Sequence, residues 1–332
     1  MVFDSHRRRG TGFDGVGCNL GIDLGATSMR FARVDAGGGA YLARPTPRGK
    51  NAKADLVSGI RAVAGGLPVL SVGVSRAPGL NAEGTVNSWP SKPDWEGVPL
   101  FHWLQLASGQ DEIVSADDGL CAAIWESGMS EPGQAQVDLS VACVSIGTGL
   151  AVGVCRGKHP LALGDGAATL GHQRFGGIAT PCRCGRRGCL QTLLSVAGLE
   201  ALERGEVYVE VASALRDFAG ALRDRYCVSR LIVSGGAISR FGPGFLHALF
   251  DPPCRACGIK LSISSTPQMS ALAGALMLAG GSLQSQEDSW TRRVAAFVMN
   301  HDSSRFNHPE ELCASATHGT ATSPITSFLS VG

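Results

Sequence analysis

The stretch Gly171–Ser195, GHQRFGGIATPCRCGRRGCLQTLLS, decides how the rest of the chain is read. It carries one histidine and three cysteines, His172, Cys182, Cys184 and Cys189, with the three thiols inside eight residues. Four nitrogen and sulfur donors of this kind are what a closed structural Zn²⁺ site takes, and Gly185, Arg186, Arg187 and Gly188 make a tight knuckle between the last two thiols. Buried thiols beside a surface histidine are the alternative, but cysteines this dense and flanked by glycines seldom serve packing alone.

Working outward, two hairpins and an aspartate pair stand out. Asn19–Ile22 reads as a short strand running into Asp23, Leu24, Gly25, Ala26, Thr27 and Ser28, with Met29–Val34 as the returning strand. A second hairpin follows the same plan: Val141–Ile146, then Gly147, Thr148 and Gly149, then Leu150–Val154 closing at Gly157. Glycines let backbone N–H groups approach a phosphate closely and a threonine hydroxyl adds a donor, although either turn alone is also an ordinary hairpin. Ser234, Gly235, Gly236 and Ala237 form a third tight turn after the strand Leu231–Val233. Asp117 and Asp118 lie between the hairpins, after a strand over Glu112–Ser115 and before a helix with apolar Ala122, Ala123, Ile124 and Trp125. Carboxylates at that point either cap the helix or do acid–base work.

The knuckle resembles the signature of the ROK family, a group of bacterial sugar kinases and sugar-responsive repressors. The family pattern is a Gly-His pair followed by Cys-x-Cys-Gly-x-x-Gly-Cys, and Gly171, His172, Cys182, Cys184, Gly185, Gly188 and Cys189 all match it. The resemblance implies an α/β fold of the actin-like ATPase (ribonuclease H-like) type, with two lobes, a nucleotide cleft and a zinc knuckle. It further implies ATP, Mg²⁺ and structural Zn²⁺ as cofactors. On that resemblance Asp23, Gly25, Thr27, Gly147, Thr148 and Gly149 hold the phosphates, with Asp23 organising the hydrated Mg²⁺, and Gly235 and Gly236 receive the adenosine. Glu126, eight residues after Asp118, sets the register that makes Asp118 the catalytic base, accepting the proton of the attacking sugar hydroxyl, the 6-OH by family expectation. Asp117 occupies the position of a sugar-binding asparagine. His172 serves zinc and sugar together, Gly79 in the Pro78–Gly79 turn meets the sugar, and Trp95 and Pro99-Leu100 fall in register with the loop over it.

The departures from the family pattern bear on the substrate. Ala26 and Ser28 stand in a motif usually written Asp-x-Gly-Gly-Thr-Lys, and the second removes a positive charge. Thr169 and Gln191 replace two glutamates of the sugar pocket, while Asp117 adds a carboxylate on the side where the family reads the 3-hydroxyl. A carboxylate there suits an ammonium group, because a charge-assisted hydrogen bond is stronger than a neutral one. The expected reaction is therefore ATP-dependent phosphorylation of a hexose, with an aminosugar such as kanosamine, of the kind phosphorylated in antibiotic pathways, as acceptor. A glucokinase, an N-acetylmannosamine kinase and a non-catalytic sugar sensor are the competing readings, and retention of Asp118 favours an enzyme.

Composition bounds the rest. With 332 residues, 44% of them apolar, and a net charge of +1, the chain holds substantial cores and gives no bulk electrostatic case for nucleic acid or membrane. The expected partners are a small-molecule sugar and ATP, with no nucleic acid and no membrane, and a homodimer is consistent with the family. Only twenty-two residues precede Asp23, too few for the winged helix-turn-helix of ROK repressors. The N-terminus lacks an apolar signal core and no apolar run is long enough to span a bilayer, so a cytoplasmic location is expected. The cysteines outside the knuckle are scattered and read as reduced thiols, with Cys254 and Cys257 an incidental pair. The expected organisation is a disordered segment over 1–17, a first α/β lobe over 18–116, a second over 117–266, a helix returning to the first lobe over 267–281, and an extra helix with a loose tail over 282–332. Trp290, Val294, Phe297 and Val298 supply the helical spacing of that extra helix.

Overall fold

The computed structural model describes residues 17–129, 140–157, 159–161, 170–177, 179–281 and 288–302. The expectations for residues 1–16, for Thr169 and for the tail beyond 302 lie outside them. In the first sheet, β1 (Cys18–Leu24), β2 (Ser28–Asp35) and β3 (Gly38–Pro45) form an antiparallel meander. The chain crosses through α1 (Ala52–Ala64) and returns as β4 (Val69–Arg76), parallel to β1. A small ladder of β5 (Gly79–Leu80) and β6 (Val86–Ser88) and the helix α2 (Leu100–Ser108) then lead to β7 (Ile113–Asp117), parallel to β4.

The second sheet repeats the plan. After α3 (Asp118–Gly128), a meander of β8 (Ser140–Ile146), β9 (Leu150–Arg156) and β10 (His159–Pro160) is followed by α4 (Gln191–Leu194), α5 (Val196–Glu203) and α6 (Tyr208–Tyr226). Next come β11 (Val228–Ser234), α7 (Ala237–Phe241), α8 (Pro243–Ala256) and β12 (Lys260–Ile263), with β11 parallel to both β8 and β12. The strand orders, β3-β2-β1-β4-β7 and β10-β9-β8-β11-β12, are the same arrangement made twice, which is the duplicated actin-like architecture.

Two helices stand between the sheets. α9 (Ser270–Ala279) packs on β1 and β4, α3 packs on β8 and β9, and the two helices pack on each other. Small residues permit this closeness. A Cβ on Gly73 of β4 would strike the Ala275 carbonyl, one on Gly274 would strike the Cys121 carbonyl, and one on Gly119 would meet the Val152 nitrogen at 2.6 Å. β1 is buried at every residue, as a strand covered on both faces must be, whereas β2 alternates. The last described helix, α10 (Asp288–His301), buries Trp290, Val294, Phe297 and Val298 and lies against α9, β2 and β3. Trp290 donates from its indole to the Leu276 carbonyl at 3.2 Å.

Candidate active site

The first hairpin is closed by its own backbone and braced from behind. The Gly25 N–H donates to the Ser28 carbonyl at 3.1 Å, the Thr46 N–H to the Thr27 carbonyl at 3.0 Å, and the Thr46 hydroxyl to the Gly25 carbonyl at 2.6 Å. Asp23, the residue before the turn-closing Leu24, is buried; its Oδ1 accepts from Ser75 Oγ at 2.8 Å and its Oδ2 lies 3.6 Å from Arg30 Nη1. Asp23 and Ser75 are parallel partners across β1 and β4, so the sheet itself sets this pair.

The second hairpin is built without charge. The Gly147 N–H donates to the Gly149 carbonyl at 2.9 Å, and the Val196 N–H holds the Gly147 carbonyl at 2.9 Å. The hydroxyls of Thr27 and Thr148 stand 3.4 Å apart, so the two turns face each other directly across the lobes. Gly235, at φ +95°, begins the third turn; a side chain there would collide with the backbone of Ile146, so the turn is seated against the end of β8. A Cβ on the neighbouring Gly236 meets nothing within 4 Å, leaving open space on that side.

β7 runs two residues further than the sequence suggests, because parallel pairing with β4 continues to Arg76 and Asp117. Asp117 is therefore the N-cap of α3, its Oδ1 accepting from the Leu120 N–H at 2.9 Å, and Asp118 is the first helical residue, with the Gly119 N–H donating to its Oδ1 at 3.0 Å. Burial raises the pKa of Asp118 to about 7, and the carboxylates of Asp117 and Asp23 push in the same direction. Burial also raises Asp117, while the Leu120 N–H and the Arg76 guanidinium pull it back. Arg76 is fixed by Ser115 Oγ at 3.3 Å and by the Pro78 carbonyl at 2.9 Å, which ties the Pro78–Gly79 turn to the aspartate pair. Gly79 pairs with Ser88, and the tryptophans of this loop, Trp89 and Trp95, are buried against each other with centroids 5.0 Å apart. Trp95 thus supports the loop from the core.

His172, Cys182, Cys184 and Cys189 come together, their ligand atoms all within 4.8 Å of one another. His172 Nδ1 is 3.6 Å from Cys182 Sγ, and Cys184 Sγ is 3.6 Å from Cys189 Sγ. Thiolates at the corners of a tetrahedral zinc site with Zn–S near 2.3 Å stand about 3.8 Å apart, so the donor set and its spacing fit zinc. Burial and then Arg186 lower the pKa of His172, which favours the neutral ring that a metal requires. Gln191 joins this cluster to the second hairpin, its Nε2 donating to Cys182 Sγ at 3.2 Å and its Oε1 facing the Leu150 N–H at 3.5 Å. Gln191, expected at the sugar, makes one such contact at each end of its amide, and each end has a second hydrogen-bonding position.

A further buried carboxylate lies at the far end of α3. Glu126 Oε1 accepts from Ser264 Oγ at 2.6 Å and Ser270 Oγ at 2.7 Å, and burial raises its pKa against those bonds. Ser75, Thr46, Arg76 and Arg30 were not visible as site residues in the sequence. Only Arg30 carried a usable signal, since it lies two residues beyond Ser28 on the same face of β2.

The ROK family profile matches residues 19–218, and the chain belongs to the ROK family. It is 35% identical over 189 residues to the kanosamine kinase of Amycolatopsis mediterranei, covering 53% of this chain and 59% of that one. It is 28% identical over 184 residues to the glucokinase of Streptomyces coelicolor, covering 54% of this chain and 57% of that one. The chain thus spans under two thirds of the length of these two curated relatives. Its fold is that of the ROK family glucokinase from Streptomyces griseus in complex with glucose and AMPPNP, with a TM-score of 0.62 and 23% identity over 79% of this chain and 99% of the other. Among the described residues no helix is long and apolar enough to cross a membrane.

Proposed function

We propose that the protein is an ATP-dependent hexose kinase with an aminosugar such as kanosamine as its favoured acceptor. The observation that carries the kinase reading is Asp118, raised to about 7 at the head of α3, with Asp23 close enough to act on its charge. As the hydroxyl oxygen, by family expectation the 6-oxygen, bonds to the γ-phosphorus, the bond from that phosphorus to the β–γ bridging oxygen breaks and ADP departs. The hydroxyl proton passes to Asp118. Positioned base catalysis of this kind contributes roughly 10²–10⁴-fold. Asp23 would hold the hydrated Mg²⁺, whose role is to neutralise charge on the β- and γ-oxygens, and Thr27, Thr148 and the backbone of Gly25, Gly147 and Gly149 would hold the phosphates. Gly235 and Gly236 would receive the adenosine, and His172, Cys182, Cys184 and Cys189 would hold structural zinc that fixes the sugar side of the second lobe. Gly79 would meet the sugar.

The aminosugar rests on Asp117 and on the kanosamine kinase among the relatives. A carboxylate raised by burial gains from an incoming ammonium, which offsets its desolvation. Arg76 favours a second reading, a neutral hexose, because it already places a cation beside Asp117. The test is ADP release from Mg-ATP with kanosamine, glucosamine, glucose and N-acetylmannosamine, using Asp118→Asn as control and Asp117→Asn as the discriminating variant. Turnover preferring kanosamine, with the preference lost in Asp117→Asn, supports the aminosugar kinase. Preference for glucose in both proteins leaves the kinase and removes the ammonium argument; bound sugar without turnover leaves a sensor.

A further inference from the structure

The three turns around the nucleotide cleft carry no cation of their own. Neither Asp23–Met29, nor Gly147–Gly149, nor Gly235–Ala237 contains a lysine or arginine, although Mg-ATP brings net negative charge. Arg30 is two residues past Ser28, and the burial of Met29 and Phe31 on either side of it puts Ser28 and Arg30 on the same face of β2. Its Nη1 is 3.6 Å from Asp23 Oδ2 and also donates to the Gln268 carbonyl, and its side chain is 27% exposed. These two partners occupy part of a planar fork of five donors.

Gln268 belongs to the connector Ser264–Met269, between β12 and α9, on which, with Ser270 at the head of α9, the other pieces of the site converge. The Pro267 carbonyl accepts from the Gly235 N–H at 3.1 Å and from Ser234 Oγ at 3.3 Å. The Gln268 amide donates to Ser239 Oγ at 2.9 Å on α7, just past the third turn. Thr266 Oγ1 accepts from the Trp125 indole at 3.0 Å, and Ser264 and Ser270 both donate to Glu126, which fastens α3 to the same segment. Arg30 is the side chain through which the first hairpin joins this junction.

We infer that Arg30 is a positioning residue for the nucleotide: it orients Asp23, supplies the positive charge that the turns lack, and locks the first hairpin to the Gly235–Gly236 turn through Gln268. The inference rests on the kinase reading but is tested by binding as well as by rate. In the full-length protein, Mg-ATP affinity by calorimetry and the KM for Mg-ATP in ADP release would be compared for wild type, Arg30→Gln, Arg30→Lys and the double variant Arg30→Gln with Ser28→Lys. The expected result is affinity about tenfold weaker and KM about tenfold higher in Arg30→Gln, with kcat and sugar affinity changed less than about threefold. Arg30→Lys recovers part of the loss, and a lysine at position 28 recovers part of it by returning charge to the same face. Mg-ATP affinity within twofold of wild type in Arg30→Gln overturns the inference. So does a loss matched by a fall in melting temperature and recovered by neither lysine, which marks a structural role. Wild-type protein that binds Mg-ATP without turnover defeats the kinase reading alone and leaves the binding comparison to decide on Arg30; protein that binds no Mg-ATP defeats both.

Discussion

The two hairpins that face each other at Thr27 and Thr148 have the same topology, but the first carries a pair of charges and the second none. The first is flanked by Asp23 and Arg30 and braced by the side chains of Ser75 and Thr46. The second offers glycine backbone and one hydroxyl, and its support comes from Val196 and Gln191, the latter bonded to the Cys182 thiol. A repeated sheet therefore does not mean a repeated role. On the proposed reading the first lobe would bring charge to the reaction and the second neutral donors held by the His–Cys cluster, while Asp118 sits at the joint where β7 of one sheet becomes α3 on the other.

The sharpest way to break this division is at the joint. Asp118→Asn should lower kcat by about 10³-fold, within the span for loss of a general base, without shifting sugar affinity. In the wild type kcat/KM should fall about tenfold per pH unit below roughly pH 7, since the base must be ionised to accept a proton. Next comes the contrast between the hairpins. Asp23→Asn, which removes a charged ligand, should raise the KM for Mg-ATP about 10–100-fold, against about fivefold for Thr148→Val, which removes one neutral hydrogen bond. Equal losses would mean that the lobes share the charge work. Cys184→Ser, or zinc removal by a chelator, should weaken sugar binding by at least about tenfold and Mg-ATP binding by a smaller factor, because Gln191 carries the disturbance to Leu150, beside Gly149 of the second hairpin. The smallest effect is on stability. Asp118 has a folded-state pKa above its unfolded value, so the folded protein binds the extra proton between about pH 4 and 7 and loses stability as pH rises through that window. Asp118→Asn should accordingly raise the melting temperature by a few degrees at pH 8 and change it little at pH 4, a difference that calorimetry resolves.

What the sequence made legible was chemistry concentrated in a few consecutive residues. The knuckle from His172 to Cys189, both glycine-threonine turns and the Asp117–Asp118 pair could be read because their donors are neighbours in the chain. Long-range pairing was not legible. Ser75 reaches Asp23 only through parallel register between β1 and β4, and Arg30 reaches Gln268 across 238 positions of sequence. Arg76 was hidden for the same reason: nothing in its own segment indicates that β7 extends to Asp117 and places the two side by side. The helix α10 was legible from periodicity, but its seat was not, since Trp290 docks where Gly280 leaves room for an indole.

The seating of α3 on α9 has a mechanical consequence. Gly274 and Cys121 meet backbone to backbone, and each helix in turn lies on glycines, Gly73 on the α9 side and Gly153 on the α3 side. Main-chain contact leaves no slack between the two helices, and the bond from Ser270 at the head of α9 to Glu126 of α3, at 2.7 Å, fixes their register. A single methyl at position 274 would be a shim driven against the Cys121 carbonyl, prising apart the two helices on which the sheets rest.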